Sequence, residues 1–146
     1  MLYDKLIIDT NLLLLLIIGS IDDGMHIDKS GRLNNYDMGD YDNILKIIKN
    51  TKEIYITPYI ATEVSNLIDL KGNLKEKAFE ICREIFNNFK QVKIDIHSDI
   101  NENSFIYFGL ADASLVKLAP NYNILTLFLL GFIVGSMAPM VINEVK

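Results

Sequence analysis

Three carboxylates in this chain stand directly behind or inside apolar runs. Asp9 ends Leu6-Ile7-Ile8 and opens Asp9-Thr10-Asn11. Glu63 lies in Thr62-Glu63-Val64-Ser65-Asn66, and Asp112 in Gly109-Leu110-Ala111-Asp112-Ala113. A β-branched strand that runs straight into a helix through an acid places that acid at the carboxyl edge of a sheet. Open α/β folds bind ligands and carry out chemistry at that edge. Carboxylates gathered there offer hard oxygen ligands to Mg²⁺ or Mn²⁺, which keep several waters and need only a few acids. Such a cluster can orient a water for in-line attack on a phosphodiester and stabilise the leaving oxygen. Each acid alone also has a structural reading: Asp9 as an N-cap, Asp112 as a first-turn acid facing the helix dipole, Glu63 as a solvated helix residue. The combination is what points to metal chemistry, since all three fall at strand ends or helix starts.

Other chemistries find little support. No dinucleotide fingerprint, phosphate loop or nucleophile elbow is present. His26 and His97 have no partner spacing for zinc and read as surface residues. Lys71, Lys75 and Lys77 cluster near one helix boundary, where they contact phosphates or form a solvated face. The net charge of −5 provides no global basic field. An RNA substrate therefore requires bound cations or a local basic patch. The lone Cys82 excludes an internal disulfide, fits a reducing cytosol, and falls on a helical apolar stripe as a buried thiol.

The 146 residues suit one domain spanning 1–146. Lys5 to Ile8 reads as a strand, followed by a very apolar helix from Asn11 to Ile18 that Gly19 ends. Ser20 to Asp40 has loop composition and is long for a connection, which suggests a mobile or partner-facing excursion. Asp40 or Asp42 caps a helix through Lys49. Glu53 to Thr57 alternates as a strand, and Pro58 opens a helix that runs to Lys71-Gly72. A further helix runs from Asn73 to Phe89, and Val92 to Ile96 forms a third strand. A short turn or helix through Phe105 and Tyr107 leads to a helix from Leu110 to Leu118. Strands alternating with helices predict an α/β fold with a parallel sheet covered on both faces.

Residues Ile124 to Ile142 carry no charge, about the length that spans a bilayer. Gly131 and Gly135 have the spacing of packed membrane helices. Thr126, Ser136 and Pro139 interrupt the run, which divides into a strand (Asn123 to Thr126), a helix (Leu127 to Val134) and a strand (Met140 to Ile142). Buried parallel strands are similarly apolar. A cytoplasmic protein without a signal peptide is the favoured reading, and a membrane anchor at 124–142 the lesser one.

With these segments in order, the chain resembles the PIN-domain family, which includes the VapC-like ribonuclease toxins. The resemblance rests on Leu6-Ile7-Ile8-Asp9-Thr10-Asn11, Ile56-Thr57-Pro58 leading to Thr62-Glu63-Val64-Ser65-Asn66, Gly109-Leu110-Ala111-Asp112-Ala113-Ser114, and Asn123-Ile124-Leu125-Thr126. It implies a three-layer sandwich with a central parallel sheet of about five strands and helices on both faces. It also implies an Mg²⁺ or Mn²⁺ site and cleavage of RNA. Asp9, Glu63 and Asp112 match the family's acidic, metal-holding and catalytic positions. Thr10 and Asn11 match its polar neighbours, Asn11 holding Asp9 or a metal-bound water, and Asn66 and Thr126 stand beside the site. A protein antitoxin and a second copy of the chain are the partners implied; the apolar helix Leu12 to Ile18 reads first as core and second as a contact face for such a partner. The sequence departs from the pattern after Thr126: the family places an acid there, and this chain continues Leu127-Phe128-Leu129. Two alternatives follow, a catalytically degenerate PIN-like module that binds RNA or protein, and a membrane-associated protein anchored by 124–142.

Overall fold

The computed structural model describes residues 3–126 and 140–143. β1 (Tyr3–Ile8) leads through Asp9 into α1 (Thr10–Gly19). Three short 3-10 turns, at Asp22–Gly24, Ile27–Lys29 and Gly31–Leu33, precede α2 (Met38–Lys49) and β2 (Thr51–Ile56). The chain continues through α3 (Pro58–Leu67), α4 (Asn73–Asn88), β3 (Lys90–Gln91), α5 (Ile96–Asp99) and α6 (Phe105–Leu118). β4 (Asn123–Thr126) and β5 (Met140–Asn143) follow.

β1 to β4 form a parallel sheet in the order β3-β2-β1-β4, flanked by helices. The architecture is α/β and consistent with a three-layer sandwich. β5 pairs with β4 in antiparallel fashion, a departure from the all-parallel sheet expected. The chain winds outward from β1 through β2 to β3, then returns to β4 on the other side of β1. The winding therefore reverses between β1 and β4, and a crevice opens at the carboxyl ends of strands at such a point.

α1 is apolar on every face and is buried accordingly. Leu12 to Ile18 are all buried, with Leu16 the most exposed at 5%. α2, α3, α4 and β4 all pack against this helix. Leu12 to Ile18 therefore form the centre of the core, the favoured of the two roles expected for them, and do not offer a partner-facing surface.

The excursion after α1 is packed rather than free. Ile21, Ile27 and Leu33 join the core from successive turns. Ser30 is fully buried, and its hydroxyl donates to Asp69 Oδ1 at 2.6 Å. His26, expected at the surface, is buried, with Nε2 2.8 Å from Asp22 Oδ2. The α2 cap is Asp37, not Asp40 or Asp42: Asp37 Oδ1 accepts from Asp40 N–H, and Asp40 Oδ2 accepts from Asp37 N–H, both at 3.0 Å. This reciprocal pair satisfies two amides that the helix itself leaves open.

The third strand falls at Lys90–Gln91, ahead of the Val92 to Ile96 expected. Ladder pairing ends with Val92 N–H donating to Ile56 O, and Asp95 then accepts from His97 N–H and starts α5. α3 ends at Leu67, short of Lys71-Gly72. Cys82 is buried as expected, and desolvation raises its thiol above the ordinary range. Gly109 breaks α6 at φ 81°, ψ −177°, a conformation essentially confined to glycine. It separates the exposed Ile106, Tyr107 and Phe108 from the buried Ala113, Ser114 and Leu115.

Both ends of the uncharged run 124–142 lie in paired strands, and residues 127–139, including the helix expected at Leu127 to Val134, lie outside the described residues. Among the described residues no helix is long and apolar enough to cross a membrane.

The buried Ser30–Asp69 bond gives the excursion a measurable anchor. Ser30→Ala should destabilise the fold by about 1–2 kcal/mol in denaturant unfolding. Amide exchange through residues 21–37 should accelerate in the same variant. Unchanged exchange would show that the bond does not hold this segment.

Candidate active site

Asp9 stands at the reversal of the sheet. Its N–H donates to Leu125 O of β4 at 2.9 Å, extending the β1–β4 ladder by one residue. Its backbone is extended, at φ −65° and ψ 158°, and its Oδ1 accepts from Thr10 N–H at 2.7 Å. Asp9 is therefore the N-cap of α1, as its structural reading holds. The helix dipole favours negative charge there, so capping and a place in a charged site are compatible.

Glu63 lies in the second turn of α3, exposed to solvent. Thr57 starts that helix by accepting from Ile60 N–H at 3.1 Å, and Pro58 occupies the first turn, where a missing N–H costs nothing. Asp112 is the third residue past the Gly109 break, in the first turn of the second half of α6. As a residue it is exposed, yet the protein crowds its carboxyl group. Its pKa is raised from 3.8, first by desolvation, then by the negative charges of Asp9 and Glu63. Asp112 on α6 thus feels the charges of Asp9, at the end of β1, and of Glu63 on α3. The three acids do not form a closed cage: among the described residues no group of three His, Cys, Asp or Glu side chains is placed to hold a metal ion.

The polar neighbours are distributed unevenly. Thr10 is buried, while Asn11 and Asn66 are exposed in α1 and α3. Thr126 ends β4, its backbone paired with Met140 of β5. Tyr36, half-buried at the end of the packed excursion, was not singled out from sequence. Its hydroxyl is pushed up to about 12 by desolvation, then by Asp9 and Asp40, so it is a neutral donor in the vicinity of Asp9. Nothing local marks Tyr36 in the sequence, since its place depends on how residues 20–37 fold back on α1.

A second polar group missed from sequence lies between α3 and α6. Asp99 is 3% exposed, and Tyr59 donates its hydroxyl to Asp99 Oδ2 at 2.6 Å. Lys117 Nζ lies 3.3 Å from Asp99 Oδ1 and also donates to the Ser98 hydroxyl. A cavity of about 430 Å³ lined by Asp4, Lys5, Pro120 and Tyr122 opens at the amino ends of β1 and β4, away from the three acids.

No protein-family model matches this chain, and no curated protein matches it. The physical arrangement of the site is therefore what bears on function.

The crowding of Asp112 has a definite pH signature. The folded protein holds this proton more tightly than the unfolded chain. The resulting stability is present below the ordinary value of 3.8 and is lost as pH rises through the raised folded value. At pH 7 the ionised carboxylate therefore opposes folding. Asp112→Asn should melt above the parent protein at pH 7, by less than about 1 kcal/mol for so exposed a site. The difference should vanish below pH 3.8. Calorimetric scans at both pH values check this, and equal melting at pH 7 would contradict the crowding.

Proposed function

We propose that this chain is a PIN-like, metal-dependent endoribonuclease that hydrolyses RNA phosphodiester bonds through Asp9, Glu63 and Asp112. The observation that carries this reading is the raised Asp112 carboxyl, with the charges of Asp9 and Glu63 among its causes. Asp112 feels the charges of two acids from distant parts of the chain, and Asp9 stands at the sheet edge where α/β folds place ligands. Perturbed carboxylates of this kind cluster at functional sites.

The donors fit a hard dication such as Mg²⁺ or Mn²⁺. Mg²⁺ keeps several of its waters and is held through one or two carboxylates together with substrate phosphates. A spacing wider than a closed cage accords with that mode of binding. When bound, such an ion supplies a water of lowered pKa and neutralises charge on the leaving oxygen. Asp9 and Asp112 provide carboxylate oxygens, direct or through water. Glu63, exposed on α3, orients the attacking water and accepts its proton. Asn11 and Asn66 offer amides to waters or phosphate, and the resemblance adds Thr10 and Thr126 as polar neighbours. The resemblance extends this reading to the cytoplasmic toxin of a toxin–antitoxin pair, with a protein antitoxin and a second copy of the chain as partners.

A second reading is a catalytically degenerate PIN-like module that binds RNA or protein. It is favoured by the open spacing of the acids and by Leu127-Phe128-Leu129 in place of an acid after Thr126.

Asp9→Asn separates the two. Asn caps helices as well as Asp, so the variant keeps its fold while losing the charge. Incubation with a mixed RNA pool under Mn²⁺, Mg²⁺ or chelator should give metal-dependent cutting by the parent protein and only background by the variant. Full activity in Asp9→Asn would refute the site, and no cutting by either folded protein would establish the non-catalytic reading.

A further inference from the structure

Asp99 is a buried carboxylate that the proposed chemistry does not use, and its two partners come from the two helices that carry Glu63 and Asp112. Tyr59, which donates to Oδ2 at 2.6 Å, lies in the first turn of α3, one turn before Glu63. Lys117, 3.3 Å from Oδ1, lies a little over one turn beyond Asp112 on α6. α3 and α6 also touch directly, and α5 packs against α6. One acid, 3% exposed, therefore engages both of its oxygens in holding α3 and α6 together.

We propose that Asp99 is a positioning residue that sets the separation of Glu63 and Asp112 through Tyr59 and Lys117. The proposal rests on the reading of those acids as a cation site. Asp99 opposes a parting of α3 from α6 because at least one of its two hydrogen bonds must then break. A broken bond leaves a buried carboxylate short of a partner, an arrangement that proteins disfavour. The short span from Tyr59 to Glu63 lies within one rigid helix, so a shift at the brace is transmitted to the acid. Groups that orient ligands in this manner change metal affinity by about 10–100-fold when removed.

Mn²⁺ binding, followed by the paramagnetic resonance signal of the free ion, reads this directly. The proteins compared are the full-length parent, Tyr59→Phe, Asp99→Asn and Asp9→Asn. Tyr59→Phe removes one hydroxyl and keeps the ring, so it tests the brace even where Asp99→Asn fails to fold. We expect Mn²⁺ affinity to fall about tenfold in Tyr59→Phe and further in Asp99→Asn. The Mn²⁺ concentration for half-maximal RNA cleavage should rise in step, with the rate at saturating Mn²⁺ retained, whereas Asp9→Asn is not rescued by excess ion. Unchanged Mn²⁺ affinity in a folded Tyr59→Phe, with or without a lowered melting temperature, would reduce the brace to a stability element and overturn the proposal. Absence of Mn²⁺ binding by the parent protein would overturn the cation site, and the proposal with it.

Discussion

A helix that is apolar on all sides has to be enclosed on all sides, and α1 imposes that constraint on the whole chain. Each of its leucines and isoleucines gains about 1.5–3 kcal/mol by leaving water, so the arrangement that covers all of them outweighs the local preferences of the segments that do the covering. α2, α3 and α4 close around it, and the segment after Gly19 folds back to place Ile21, Ile27 and Leu33 in the same core. Asp9 is the first residue outside that core. Its position is set by β1, by the ladder bond to Leu125 and by its own cap on α1, not by a loop. A functional group held in this way keeps its geometry without further support.

The electrostatics oppose the packing. Asp112 is partly desolvated and feels the charges of Asp9 and Glu63, so its ionised carboxylate raises the free energy of the folded state. Tyr36, neutral to about pH 12, adds a polar group beside Asp9 without adding charge. Between α3 and α6, Asp99 takes donors from both helices and ties them together. Local conflicts of this kind within an otherwise consistent fold mark the places where a chain gives up stability for function.

What was legible in the sequence was what depends on neighbours along the chain. β1, α1, β4 and the break at Gly109 follow from β-branched runs, a continuous apolar stretch and a glycine ahead of a helical stripe. The three acids were legible for the same reason, as each interrupts a regular pattern. The packing of residues 20–37 was not, because Ser30 meets Asp69 across 39 positions and turn-rich composition looks the same whether or not such a partner exists. Asp37 was passed over as the α2 cap because several acids precede that helix, and only the reciprocal bonds with Asp40 distinguish them. Val92 to Ile96 alternates like a strand, but Asp95 bonds its own backbone and turns the chain into α5. Asp99 looked like one acid among several in a polar stretch, since its importance lies in Tyr59 and Lys117, 40 and 18 residues away.

Whether Asp9, Glu63 and Asp112 hold a divalent cation together is read by an anomalous difference map from crystals grown in Mn²⁺. A shared site gives a single strong peak bounded by these three carboxylates, beyond the carboxyl ends of β1 and β4. A map at saturating Mn²⁺ with no peak there, or with its only peaks elsewhere on the surface, would rule that site out.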